Sequence, residues 1–313
     1  MNTERQMLRQ TVAALVAKQA GPEQVRRAME SDRGYDEALW TTLCEQVGAA
    51  ALIVPEEYGG AGGELADAAA VLEELGRGLV PTPLFATTVA EAGLLAADTP
   101  DTGTLEHLAA GSLIGTVAFD SEYVVSGDVA DVVLAINDGR VVRWTEATAE
   151  PLTPLDPTRR LARLTSGSTS DIGPDPGLAD IAAVLLAAEQ IGSAARCLEL
   201  TVEYTKQRVQ FGRPIGSFQA LKHRMADLYV ALQSARAVVS EAVSKVTPVN
   251  AARARLAASE TFCTVAGEAI QLHGGIAITW EHDIQLYFKR AHSSAQLLGA
   301  PREQVRRLES EIL

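Results

Sequence analysis

At 313 residues the chain has the length of two domains, or three small ones, and enough residues to bury a substantial core. Apolar residues make up 47% but aromatics only 5%, so alanine and leucine carry the apolar content and favour close helix packing over a β-sandwich. A formal charge of −13 excludes broad nucleic-acid binding, which needs a basic face; any anionic ligand must find a local cluster of Arg and Lys.

From the N-terminus, Leu8, Val12, Leu15 and Val16 fall at helical spacing. Leu39 to Val47 predicts a short helix, and PEEYGGAGG at 55–63 a turn-rich loop. A helix follows from Leu65 to Leu75, broken between Gly76 and Pro83. Thr87 to Ala97 and Thr104 to Ala109 are further helical runs. The pattern then changes. From Leu113 to Trp144 β-branched residues alternate or cluster, and Asn137-Asp138-Gly139 predicts a hairpin turn. Residues 161–165 add one more strand, and Ser166 to Asp180 reads as a polar, Gly- and Pro-rich linker. Long helices are predicted from Leu178 to Arg208, Phe218 to Val246, Val249 to His273 and His282 to Leu298. A short last helix starts near Pro301, where proline suits the first turn. The expected fold class is therefore α+β, mostly α: an N-terminal helical domain (1–111), a small β domain (112–177) and a C-terminal helical bundle (178–313).

Cys44, Cys197 and Cys263 lack CxxC pairing, so buried free thiols are expected and a metal site is not. The charged MNTERQMLRQ start has no apolar run of the signal-peptide kind, and no uninterrupted apolar stretch of about 18 residues exists. A cytoplasmic location without a membrane span is the expectation.

Three stretches carry the chemistry. The first is Trp40, Gly48, PEEYGGAGG and LEELGR at 72–77. The second is YTKQRVQFGRPIGSFQALKHRMADLYV at 204–230, and the third QLHGGIAITWEHDIQLYFKRAH at 271–292. Alone, RVQFG is an arginine offsetting a helix dipole with Phe-Gly as a stop signal, and QLHGG is a Gly-Gly helix cap. In this order and spacing they resemble the acyl-CoA dehydrogenases, flavoenzymes that desaturate acyl-CoA thioesters. The resemblance covers most of the chain.

The resemblance implies that Arg208 reaches across a subunit interface to the pyrophosphate of a neighbour's FAD, with Gln210 and Phe211 beside it. Arginine suits that role because its planar fork pairs with two phosphate oxygens. It assigns Gln271 and Gly275 to the same FAD, glycine permitting close backbone approach. Ala277 stands where the family commonly has glycine.

Two family features are missing. Desaturation begins with a carboxylate removing the proton next to the thioester carbonyl. The family puts that base in one of two places, which here are Leu298, before Gly299, and the neighbourhood of Ala182. Neither accepts a proton. Glu189 and Glu281 are the reserve candidates, ion pairing being the plainer role for both; Glu189 would have a raised pKa if buried in its apolar helix. Asp283 reads as an ion-pairing or helix-capping residue. The family's Leu-Thr-Glu-Pro…Gly-Ser-Asp and Trp-Ile-Thr stretches, which hold the flavin ring and substrate, are also absent, and Trp144 reads as strand packing. The expectation is a reduced subunit of the actinobacterial α2β2 type, completing the FAD site of a homologous full-length partner. Its implied substrate is an acyl-CoA, possibly sterol-derived, and its implied electron acceptor is electron-transfer flavoprotein. Two alternatives stay open: an autonomous homomeric dehydrogenase with an atypical base, and a non-enzymatic interaction protein on the same fold.

Overall fold

In the computed structural model, which describes residues 3–312, helices α1 (Thr3–Gln19), α2 (Pro22–Met29), α3 (Glu37–Thr42), α4 (Leu65–Arg77), α5 (Leu84–Leu95) and α6 (Thr102–Ala109) form the first segment. Local chemistry sets several of their starts. Asp36 accepts hydrogen bonds from the Ala38 and Leu39 amides at the head of α3. Asp101 does the same for Thr104 at the head of α6. Helix α2 went unread in the sequence; only Val25 and Ala28 of its eight residues are buried, too few to leave a periodic apolar pattern.

The β segment follows as β1 (Gly115–Ala118), β2 (Val124–Val125), β3 (Val132–Asn137), β4 (Arg140–Thr145), β5 (Thr148–Pro151), β6 (Leu161–Thr165) and β7 (Ser168–Pro174). It makes two small open sheets, ordered β1-β3-β4-β7 and β2-β6-β5. Strands β1 and β3 run parallel; the other neighbours are antiparallel. The β3–β4 hairpin turns through Asp138 and Gly139 at φ 49° and 74°, the two positive angles that Asn-Asp-Gly foretold. The stretch expected to be a linker is in part strand: β7 pairs with β4 from Ser168 to Pro174. Trp144 packs beside the small apolar cluster between the sheets, as expected.

The last segment comprises α7 (Leu178–Gln207), the two-residue strands β8 (Val209–Gln210) and β9 (Arg213–Pro214), α8 (Gln219–Ser244), α9 (Pro248–His273), α10 (Ile284–Gln296) and α11 (Pro301–Ile312). Helix α7 is long and apolar enough to cross a membrane, yet 89% of its apolar window is buried inside the fold, the mark of a core helix. It meets α4 backbone to backbone. A Cβ on Gly192 would lie 1.9 Å from the Glu73 carbonyl oxygen, and one on Gly76 would lie 2.3 Å from that of Glu189. One apolar core runs from Val12 in α1 through α4 and α7 to Ala291 in α10, so the first and last segments share it.

Cys44, Cys197 and Cys263 are free thiols, the first two buried. Burial pushes Cys44 up to about 12. Its neighbour Glu91, on α5, is fully buried, and neither carboxylate oxygen has a hydrogen-bond partner among the described residues. Burial holds this carboxyl well above its ordinary value of 4.5. The folded state therefore keeps a proton that the unfolded chain releases. Its stabilising effect is complete below the unfolded value and is lost as pH rises through the folded one. Glu91→Gln keeps the shape and removes the titration, so the melting temperature of the variant relative to the parent is expected to climb as pH rises above the ordinary carboxylate value of 4.5. A pH-independent difference would show that Glu91 titrates normally.

Candidate functional site

Helix α7 stops one residue earlier than the sequence suggests. Arg208 is extended (φ −70°, ψ 115°), and its amide donates to the Tyr204 carbonyl. The next residues form a tight hairpin, β8 and β9, closed by Phe211 and Gly212 at φ 51° and 77°. Phe211 is 93% exposed at the tip. Its ring meets Phe218 edge-on at 6.3 Å, and the Arg213 guanidinium stacks over Phe218 at 4.0 Å. The Gln210 side-chain amide donates to the Val209 carbonyl, and Arg208 and Gln210 are both exposed.

The end of α9 lies against the same region. Tyr204, one turn before Arg208, stacks on His273 at 4.2 Å and donates from its hydroxyl to the His273 carbonyl. His282 meets His273 at 4.9 Å, and burial pushes both imidazoles below their ordinary value. This ring cluster ties the RVQFG and QLHGG stretches together. Gln271 and Gly275 are exposed, and a Cβ on Gly275 would meet nothing within 4 Å, so that backbone is open to approach. The Ala277 methyl is fully buried, so the fold accommodates alanine at this turn. Asp283 pairs with Arg26 at 2.8 Å; its side chain does not cap α10.

The hairpin is rich in exposed cations. Many arginines elsewhere are tied to acids, as Arg196 is to Glu199 and Arg224 to Glu268, though the exposed Arg27, Arg253, Arg302 and Arg306 have no ion pair among the described residues. Among the described residues, Lys206, Arg208, Arg213 and Lys222 have no carboxylate partner, and all four are exposed. Lys206, Arg213, Lys222 and the ring of Tyr204 were missed in the sequence. The readable signal was five Lys and Arg residues with no acid between residues 204 and 226 in a strongly acidic chain.

The expected base positions are both apolar in space as well as in sequence. Ala182 is buried within α7. Leu298 lines a cleft of about 890 Å³ between α5, the β segment and the α10–α11 corner. Neither reserve carboxylate reaches that cleft. Glu281 is exposed on the turn before α10. Glu189 is buried, but the expectation of a raised pKa is overturned. Burial alone would raise it, yet the guanidiniums of Arg159 and Arg290 outweigh burial and hold it below the usual carboxylate range. Its Oε1 accepts from Arg159 at 2.6 Å and from Arg290. Arg290 also binds Asp156 and the Thr158 hydroxyl and carbonyl. Glu189 thus joins the β segment to α7 and α10, and it is an anion locked between two cations rather than a free base. The described residues hold no cluster of His, Cys, Asp or Glu suited to a metal.

The family model for the acyl-CoA dehydrogenase N-terminal domain matches residues 2–102, and that for the C-terminal domain matches residues 179–309. Over 309 residues the chain is 69% identical to acyl-CoA dehydrogenase IpdE2 of Mycobacterium tuberculosis, covering 99% of this chain and 97% of that one. The chain belongs to the acyl-CoA dehydrogenase family. Among solved structures, it superposes with a TM-score of 0.91 on a chain of the ChsE4–ChsE5 complex from Mycobacterium tuberculosis, 26% identical, covering 100% of this chain and 98% of that one. A chain of a variant of the Tcur3481–Tcur3483 steroid ACAD also matches with a TM-score of 0.91, at 27% identity and with 99% and 97% covered. As an acyl-CoA dehydrogenase, the chain keeps the helical parts of the family intact. Its small, open β segment lies between the two family matches.

Proposed function

We propose that this chain is the reduced subunit of a heteromeric, flavin-dependent acyl-CoA dehydrogenase. It presents Arg208, with Gln210 and Phe211, and the Gln271–Gly275 turn to an FAD held mainly by a homologous full-length partner. The observation that carries this reading is the set of four exposed cations without acid partners around the hairpin. In a chain of net charge −13, such a set fits an anion supplied from outside, and a pyrophosphate has the matching charge and geometry. The chain's own cleft does not fit the same group, because no Lys or Arg is among the described residues that line it. Two structural relatives are named as two-component assemblies, one of them a steroid enzyme, which supports an α2β2 arrangement and a sterol-derived acyl-CoA. Electron-transfer flavoprotein as acceptor and a cytoplasmic location belong to the same proposal, as does the division at 1–111, 112–177 and 178–313.

When bound, FAD supplies the hydride acceptor for the β carbon. This chain's part is to neutralise the pyrophosphate charge through Arg208 and to bring an open backbone close at Gly275. With Leu298 and Ala182 at the base positions, proton removal falls to the partner's carboxylate. Glu189 is unsuited to it, which disfavours an autonomous enzyme built on that residue.

Visible absorption tests the proposal. The chain purified alone is expected to be colourless, and the complex with its full-length partner yellow, with one FAD per pair of chains. Stoichiometric FAD on the chain alone would overturn the heteromeric reading.

A further inference from the structure

Three rings meet where the RVQFG and QLHGG stretches join. Tyr204 of α7 stacks on His273 at the end of α9, and the His282 ring stands 4.9 Å from His273 and 6.4 Å from Tyr204. The Gln271–Gly275 turn springs from this cluster. His273 is its middle residue, and Gly274–Ile278 form one short 3₁₀ stretch ending just before the chain reaches His282.

The two imidazoles hold their protons on different atoms. His273 is 5% exposed, and its Nδ1 lies 2.8 Å from the Ala269 carbonyl oxygen. A carbonyl only accepts, so that nitrogen carries the proton. His282 has the opposite tautomer: its Nδ1 accepts from the Ile284 amide at 3.3 Å, so its proton sits on Nε2. Ile284 is the first residue of α10, where amides have no partner inside the helix, and the Asp283 side chain does not cap it. His282 supplies the missing acceptor, and only while it is neutral.

A second proton is badly placed here. On His282 it lands on Nδ1, turns the acceptor into a donor and sets N–H against N–H at the Ile284 amide. The new cation also sits at the positive end of α10. Few of the surrounding groups offset it. Tyr204 brings a phenol from α7, Arg26 brings a cation from α2, and Asp283 is engaged by Arg26 at 2.8 Å. Glu281 is exposed on the turn, and Lys289 of α10 lies over the Trp280 ring. Burial above all holds both imidazoles below their ordinary value of 6.5. At His273 the Ala269 carbonyl acts upward and His282 downward; at His282 the Asp283 carboxylate acts upward and Arg26 downward.

We propose that His282 is an acid-sensitive latch on the face that meets the partner. Proton uptake breaks its bond to the Ile284 amide, turns the ring out of the cluster and frees the Gly274–Ile278 stretch, so that the shared FAD loosens as pH falls. The inference rests on the heteromeric reading and adds a regulation to it. By linkage, the neutral pair contributes fully above 6.5, and that contribution is lost as pH falls through the lower folded values.

Flavin fluorescence of the complex at about pH 7.5 and about pH 5.5 tests the latch, in a window above the range where Glu189 titrates. FAD affinity of the parent is expected to fall by about threefold to tenfold, since one proton gives at most roughly tenfold a unit below 6.5. His282→Asn keeps an acceptor for the Ile284 amide and does not titrate, so its complex should change by less than about twofold. Hydrogen exchange on the full chain, corrected for the intrinsic rate, gives a reading independent of flavin. Peptides covering residues 274–286 should lose protection at the lower pH while those of α7 keep it. Equal FAD affinity at the two pH values, the parent's loss persisting in His282→Asn, or protection of 274–286 that ignores pH would each overturn the latch. A complex that is colourless at the higher pH removes the heteromeric reading, and the latch with it.

Discussion

Glu189→Ala destabilises the chain by about 3–5 kcal/mol, the cost of leaving buried charge without its counter-ion. The side chains of Arg159 and Arg290 are 6% and 4% exposed, and Glu189 is the shared acceptor between them. Arg290 keeps Asp156 and Thr158, but Arg159 loses its only ion pair among the described residues. Denaturant midpoints of parent and variant measure the effect. A change within about 1 kcal/mol would mean that the cluster does not hold the β segment to the helices. Acid adds an independent check. The folded-state value of Glu189 is depressed, so its contribution is present above the ordinary carboxylate value of 4.5 and is lost as pH falls through the folded one. Glu189→Ala should therefore flatten the acid limb of the stability profile. The gentler Glu189→Gln, where it folds and retains FAD in the complex, should leave turnover within a few-fold. Loss of a true general base would cost roughly 10²–10⁴.

Arg208→Ala weakens FAD in the complex by about tenfold to a hundredfold, since a charge-assisted bond to a phosphate contributes roughly 1.5–3 kcal/mol. The melting temperature of this chain by itself should scarcely move. Arg208 is exposed, stands outside α7 and makes no ion pair among the described residues. Flavin release on dilution, followed by fluorescence, gives the affinity. Normal retention of FAD in the variant would reduce Arg208 to a helix-terminal charge. Because the residue touches neither the core nor a neighbour's carboxylate, loss of flavin with unchanged folding is a result that a purely structural role could not produce.

Apart from the short α2, the helices were legible because they bury a periodic face or end on a strong signal such as Gly274-Gly275. The strands of the middle segment were legible only where they are apolar. Strand β7 reads STSDIGP and buries almost none of its side chains, so its pairing with β4 is written in backbone hydrogen bonds and leaves no apolar alternation. Strand β5, TAEP, is exposed throughout and was invisible for the same reason. The candidate hairpin was legible through its resemblance, and its unmatched cations were countable in the sequence. Glu189 was not legible. Its helix shows apolar neighbours, but the arginines that set its charge lie 30 and 101 residues away, and only the fold brings them together.

The Phe211–Gly212 turn bears on how much of this chain a cell can hold. A two-residue turn with both angles positive is stiff, so the hairpin loses little freedom on docking, and the nearly naked phenyl ring at its tip is ready before any partner arrives. The same readiness is a hazard for a surplus chain. An uncovered aromatic on a rigid projection invites self-association and recognition by quality-control proteases. On the heteromeric reading, chains made in excess of their partner are removed, and the abundance of one subunit sets that of the other without a dedicated regulator.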